Sequence, residues 1–146
     1  GFVSDIRTTK RRVENLNLPG IPQNYLDYFF VVSDEISKLS NAMNKPQIDM
    51  EEITKQLLIV QDDLETLHDK TDNLRDSAAL TERMIQYANR LSNNNDEVDS
   101  AIQKAQQLFN KHDYSGALET IGTALEEAEA GSFKRIEQDY YKGLNN

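Results

Sequence analysis

Asp49-Met50-Glu51-Glu52-Ile53-Thr54-Lys55-Gln56-Leu57-Leu58-Ile59-Val60-Gln61-Asp62-Asp63-Leu64 opens the longest regular stretch of the chain. From Ile53 the apolar or small residues recur at Leu57, Val60, Leu64, Leu67, Thr71, Leu74, Ala78, Thr81, Ile85 and Ala88, in alternating steps of four and three. That is a heptad ladder. Asp49 is placed to cap its start, with Glu52 as the capping-box acid and Ile48 and Ile53 as a hydrophobic staple. No glycine or proline intervenes before Asn93 to Asn95, so the pattern predicts a helix of about 44 residues, about 65 Å long at about 1.5 Å per residue. A compact globule cannot bury such a helix, and the fold is expected to be all-α and elongated.

Two further ladders flank it. Upstream, Phe2, Ile6, Thr9, Val13 and Leu16 are followed by Tyr25, Phe29, Val32, Ile36, Leu39 and Met43, with Leu18-Pro19-Gly20-Ile21-Pro22 between them. Proline has no N–H for the helix ladder and restricts the residue before it, so this segment is expected to interrupt or kink the helix. Downstream, Val98, Ile102, Ala105 and Phe109 lead to a break at 111–116, after which Ala117, Ile121, Ala124 and Ala128 resume the seam. Ser132 after Gly131 is placed to cap a last helix carrying Phe133, Ile136 and Tyr140.

The short connectors at 44–47 and 92–96 imply antiparallel neighbours. The expected architecture is one domain over 1–146, an antiparallel three-helix bundle of spectrin-repeat type. Rod one covers 2–44 and is broken at 18–22; rod two covers 49–93; rod three covers 96–143 and is broken at 111–116 and near 131. The breaks in rods one and three fall beside Asp72 to Asp76, so the bundle is expected to bend or split at that level.

Composition narrows the function classes. The 146 residues carry a net charge of -9, which argues against nucleic acid as a partner, because phosphate binding needs a basic stripe. No cysteine is present, which removes thiolate metal sites and thiol nucleophiles and fits a reducing compartment. No apolar run approaches the roughly 20 residues of a spanning helix, so this stretch is expected to make no direct membrane contact. The chain opens at Gly1-Phe2 with its amphipathic pattern already under way, as a fragment of a longer chain would.

Signals for catalysis are weak. Glu65 and His68 have the Glu-x-x-His spacing of di-iron bundles, but the pair occurs once, and Leu64 and Leu67 hold the seam and place both outside it. The simpler reading is a solvated helix face. No twelve-residue calcium loop, nucleophile elbow or glycine-rich phosphate loop occurs. We therefore expect a protein that is not an enzyme and holds no metal or cofactor. Residues 105 to 124 resemble half of a tetratricopeptide repeat, with Ala105, Leu108, Asp113-Tyr114, Ala117, Ile121 and Ala124 at matching spacing. A peptide-binding adaptor of that type is the alternative reading, although such repeats need arrays of about three.

One surface changes character. Between Asp49 and Asp76 nine acids stand against Lys55, Lys70 and Arg75, whereas Ser77 to Asn95 holds one acid, Glu82, against Arg83 and Arg90. With Ile85 and Ala88 on the seam, Gln86 and Arg90 stand one turn apart on the outer face, with Arg83 a turn earlier and Asn89 beside Gln86. The row is about 10 Å long at about 1.5 Å per residue. It can serve as a contact face, or Arg90 can complement the helix dipole while Gln86 and Asn89 pair with the third rod. Met84 and Tyr87 are candidates for packing.

Several ordered landmarks resemble the septation-ring regulator family EzrA of Gram-positive bacteria. They are Asn17-Leu18-Pro19-Gly20-Ile21-Pro22, Ile85-Gln86-Tyr87-Ala88-Asn89-Arg90, Asp113-Tyr114 before Ala117-Leu118-Glu119, and Ala124-Leu125-Glu126 followed by Gly131-Ser132-Phe133-Lys134-Arg135-Ile136-Glu137. Ala130 stands where that family usually has proline, and Leu91-Ser92 replaces its aromatic and basic continuation. The resemblance implies the C-terminal portion of a cytoplasmic protein of spectrin-like repeats, anchored by an N-terminal transmembrane helix. It would work at the division septum, restricting assembly of the tubulin-like FtsZ and contacting other division proteins. By residue match Gln86, Asn89 and Arg90 would inherit a role in recruitment to midcell, with Arg83 and Tyr87 flanking them. Pairing of acidic rods leaves a homodimer open.

Overall fold

A computed structural model describes residues 1–145; Asn146, the last residue of the expected 1–146 domain, lies outside them. The described residues form six α-helices: α1 (Phe2–Asn15), α2 (Gln23–Met43), α3 (Met50–Leu91), α4 (Asp96–Asn110), α5 (Tyr114–Ala128) and α6 (Ser132–Leu144). A 3-10 turn at Ser92–Asn94 ends α3. The chain divides into two compact units, Gly1–Asn73 and Leu74–Asn146. The boundary falls inside α3.

The long helix starts as the sequence dictates. Asp49 Oδ1 accepts from the backbone N–H groups of Glu51 and Glu52 at 3.1 and 3.2 Å, which satisfies two donors of the first turn. The reciprocal half of the capping box is replaced: Glu52 accepts instead from Gln56 Nε2 at 3.3 Å, and Ile48 is exposed rather than stapled.

The first unit contains α1, α2 and α3 up to Asn73. Its core is the predicted ladder: Val32, Ile36 and Leu39 of α2 and Ile53, Val60, Leu64 and Leu67 of α3 are buried. The Tyr25 hydroxyl and Thr71 Oγ1 share a hydrogen bond of 2.8 Å, and Arg12 pairs with Asp72. The end of α1 and the start of α2 thus lie at one level of α3. A groove is lined by Ile6 and Val13 from α1 and by Tyr25 and Phe30 from α2. Residues so far apart in sequence share it only if α2 runs back along α1. The 18–22 segment therefore reverses the chain rather than interrupting one rod, a correction to the expected rod of 2–44. The reason is local. Asn17 adopts a left-handed φ of 52°, which stops α1, and two prolines hold the following segment extended.

The second unit contains α3 from Leu74, with α4, α5 and α6. Here too the expected rod of 96–143, broken at 111–116 and near 131, gives way to helices that reverse at those breaks. A groove lined by Asp96, Glu97 and Ser100 from the start of α4 and by Thr123, Ala124 and Glu127 from the end of α5 shows that the two helices run antiparallel. His112, with φ 69°, stops α4, and Asp113 Oδ1 accepts from the Gly116 N–H at 3.0 Å to start α5. The Phe109 and Tyr114 rings meet edge to face at 4.8 Å across this turn. A third reversal uses Gly131 at φ 88°. Ser132, expected as a cap, is buried as the first helical residue, and its hydroxyl donates to the Leu125 carbonyl at 3.1 Å. One core joins all four helices: Leu80, Met84 and Ala88 of α3 meet Val98, Ile102 and Ala105 of α4, Ala117, Ile121 and Leu125 of α5, and Tyr140 of α6.

The seam of α3 also shifts in this unit. The heptad steps predict Ile85 inside, but Met84 is fully buried, Leu80 is buried and Ile85 is half-buried. Three neighbouring helices cover a wider arc of α3 than the narrow stripe of a heptad seam, so positions beside the ladder are enclosed as well.

Candidate functional site: the outer face at the end of α3

Three core residues fix the orientation of this face. Leu80, Met84 and Ala88 point into the shared core, and successive residues of an α-helix are turned by about 100° at 3.6 residues per turn. Gln86, Asn89, Arg83 and Arg90 are accordingly exposed. Arg90 lies in the last turn of α3, where a cation complements the partial negative charge of the helix end. The Asn89 backbone carbonyl accepts from Ser92 Oγ at 3.1 Å, which holds the 3-10 turn beneath the row.

The five predicted residues do not form one uniform patch. Gln86 lies on the α4 side, where Glu82, Ile85, Gln86, Gln106, Phe109 and Asn110 line an open groove of about 420 Å³. Arg83 and Tyr87 turn toward α6. The Arg83 guanidinium sits 5.2 Å from the centre of the Tyr140 ring, and that of Arg135 sits 5.3 Å from the centre of the Tyr87 ring. Tyr87 is half-buried and its hydroxyl donates to the Glu129 carboxylate. It works as a strut between α3 and the α5–α6 turn. Gln86, Asn89 and Arg90 are left as the outward-facing polar groups.

Beneath the Arg83 side, Tyr140 donates to Asp76 Oδ1 at 2.6 Å, and Arg75 Nε pairs with the same oxygen at 2.8 Å. Burial, together with the hydrogen bond to Asp76 and the charge of that carboxylate, pushes the Tyr140 hydroxyl up to about 12. It stays a neutral donor at physiological pH. This contact ties α6 to α3 about three turns before Gln86.

The groove partners Gln106, Phe109 and Asn110 were not among the predicted site residues. A signal for them exists: Ser100 to His112 holds no acid at all, so the acid-poor surface of α3 continues on α4. Glu65 and His68 are both exposed on α3, beside buried Leu64 and Leu67. Among the described residues no three His, Cys, Asp or Glu side chains gather as a metal-holding group.

Comparison with known proteins places the chain as a whole. The family described as "Septation ring formation regulator, EzrA" matches residues 1–140. The chain is 50% identical over 141 residues to the septation ring formation regulator EzrA of Lactiplantibacillus plantarum, covering 96% of this chain and 25% of that protein. It is 46% identical over 142 residues to the protein of that name from Enterococcus faecalis, and 40% identical over 142 residues to the one from Lactococcus lactis subsp. cremoris, each covering 97% of this chain and 25% of the relative. It thus spans about a quarter of the length of the curated relatives it matches. No solved structure matches. With a family match across nearly its whole length, the chain belongs to the EzrA family of septation ring formation regulators.

Proposed function

We propose that this chain is a non-catalytic interaction module of a cell-division regulator, which presents Gln86, Asn89 and Arg90 to a division protein at midcell. The observation that carries the reading is the separation of roles along the last turns of α3. Met84 and Ala88 are fully buried and Tyr87 is held by Glu129 and Arg135, while the two amides and the guanidinium face outward. Arg90 can clamp a carboxylate with two parallel hydrogen bonds, and each amide offers a donor and an acceptor. A packed helix holds these groups in fixed positions, which lowers the entropy lost on docking.

The restriction of FtsZ ring assembly belongs, in this reading, to the parent protein. So do its position on the cytoplasmic face of the membrane and its N-terminal anchor, since no described helix is long and apolar enough to cross a membrane. Residues 1–73 supply the spectrin-like three-helix layer. Replacing Gln86, Asn89 and Arg90 together with alanine should leave helicity and melting nearly unchanged while abolishing midcell recruitment in a dividing Gram-positive cell. Normal localisation of the variant would sink the assignment.

A tetratricopeptide-like adaptor has one specific observation in its favour, the antiparallel α4–α5 hairpin with its Asp113-Tyr114 turn. A single hairpin is short of the roughly three repeats such a receptor needs to build its concave face.

A further inference from the structure

The first unit carries a second surface that the patch does not use. Between α1 and α2 lies a groove of about 480 Å³, floored by Val13 and Tyr25 and walled by Ile6, Phe29 and Phe30. Phe29 and Phe30 meet edge to face at 5.9 Å, and Phe30 is 62% exposed. A large aromatic ring left this open beside an apolar trough is unusual for a surface with no partner. The volume is that of a cleft holding a small ligand or a few anchoring side chains, and an entire helix, about 10 Å across, does not fit.

The rim has a distinct charge. Arg7 and Lys10 line the groove one turn apart on α1, and Arg11 stands beside them, exposed. Among the described residues none of the three forms an ion pair, whereas Arg12, next in sequence, is paired with Asp72. Residues 1–22 hold four basic side chains against Asp5 and Glu14, in a chain with 16 basic and 25 acidic residues. Glu14 also lines the groove, one turn beyond Lys10 on α1. A ligand with negative charge is therefore oriented: its acids lie over Arg7 and Lys10, and its apolar side chains lie against Phe29 and Phe30.

We propose that the α1–α2 groove binds a short acidic segment of a partner protein that carries one or two large apolar side chains as anchors. Charge complementarity selects the acids and steers encounter, and the aromatic wall supplies the contact that slows release. The site is separate from the Gln86, Asn89 and Arg90 face and does not rest on it.

The test titrates the 146-residue chain into three fluorescein-labelled dodecapeptides and follows anisotropy. One has Leu and Phe anchors among Asp and Glu, the second has the same anchors among Lys and Arg, and the third has the acids with serine in place of the anchors. The first should bind saturably, weaken about tenfold or more with Phe30→Ala or with Arg7→Glu/Lys10→Glu, and weaken as salt rises. It should bind the Gln86, Asn89, Arg90 triple-alanine variant like the unaltered chain. Phe30 and the two cations are exposed, so circular dichroism should show the variants folded. Equal binding of the basic peptide, retention of binding by Phe30→Ala, or no binding of the first peptide would overturn the proposal. So would a Phe30-dependent dimer in sedimentation, because a second copy would then be the occupant.

Discussion

In the α1–α2 hairpin the facing side chains are large: Ile6 and Val13 on one helix, Tyr25, Phe29 and Phe30 on the other. In the α4–α5 hairpin small residues are interspersed with the large ones, Ala101 and Ala105 on α4 and Ala117 and Ala124 on α5, beside Ile102 and Ile121. Both hairpins turn behind a non-glycine residue in the left-handed region, Asn17 in one and His112 in the other. Helix separation is set by the side chains at the contact. Alanines let α4 and α5 lie close along their length, with only a polar-lined surface groove between them, whereas α1 and α2 touch at few points and leave an apolar groove. Two similar reversals thus give two different products, a closed core in one unit and an open apolar trough in the other.

The comparison breaks most visibly if the closed core is hollowed. Met84→Ala should destabilise the second unit by about 2–5 kcal/mol, the range for a buried large-to-alanine change. Urea denaturation followed by circular dichroism should show this, and Leu58→Ala, on a residue 62% exposed, should cost far less. If the two variants cost the same, the seam through Met84 is wrongly placed.

A smaller effect comes from overfilling. A Cβ at Gly122 would clash with the Phe133 ring, which is packed into the same core. Gly122→Ala should cost about 1–3 kcal/mol despite its better helix propensity. A rise in melting temperature would contradict the close α5–α6 approach.

The smallest effect belongs to the first unit and depends on pH. Glu35 Oε2 is shut off from solvent and, among the described residues, accepts no hydrogen bond. Its hydrogen-bond neighbour is Asp63, another acceptor, so the bond between them requires the proton on Glu35. Burial first, then the shared hydrogen bond and the charges of Asp63 and Asp34, push the Glu35 carboxyl up to about 7, against the opposing pull of Lys38. Tyr28, whose hydroxyl lies 3.4 Å from Asp63 Oδ1, borders the same cluster. Because the folded state holds this proton more tightly than the unfolded state, its contribution is fully present below the ordinary carboxyl value. It is lost as pH rises through about 7. Glu35→Gln should flatten that part of the stability profile and gain most at pH 8. An unchanged slope in paired denaturation curves at pH 5 and 8 would remove the pair from the account.

Helix positions were legible in the sequence because an apolar period of three and four reports which face is buried. The same period is blind to direction. A breaker that kinks a rod and one that reverses it leave identical ladders on either side, so 18–22 and 111–116 read as interruptions. The difference lies in single dihedral angles at Asn17 and His112, which no spacing records. Heptad counting also fails where a helix has three neighbours, so the period points to Ile85 while the structure buries Met84. At the candidate site, the exposure of Gln86, Asn89 and Arg90 was readable from the loss of acids and the position of the seam. The packed role of Tyr87 depends on Glu129 and Arg135, more than 40 residues away in the chain and invisible to any local pattern.

The missing side chain of Gly122 has a further effect: it sets the register of α6. Phe133 rests where a methyl group would otherwise be, and sliding α6 by one turn would drive the ring against residues that have side chains. Arg135, at Tyr87, and Tyr140, at Asp76, follow Phe133 on the same rigid helix, so their axial positions are fixed with it. The alignment of the struts behind the exposed patch is therefore specified by an absent atom rather than by an added contact.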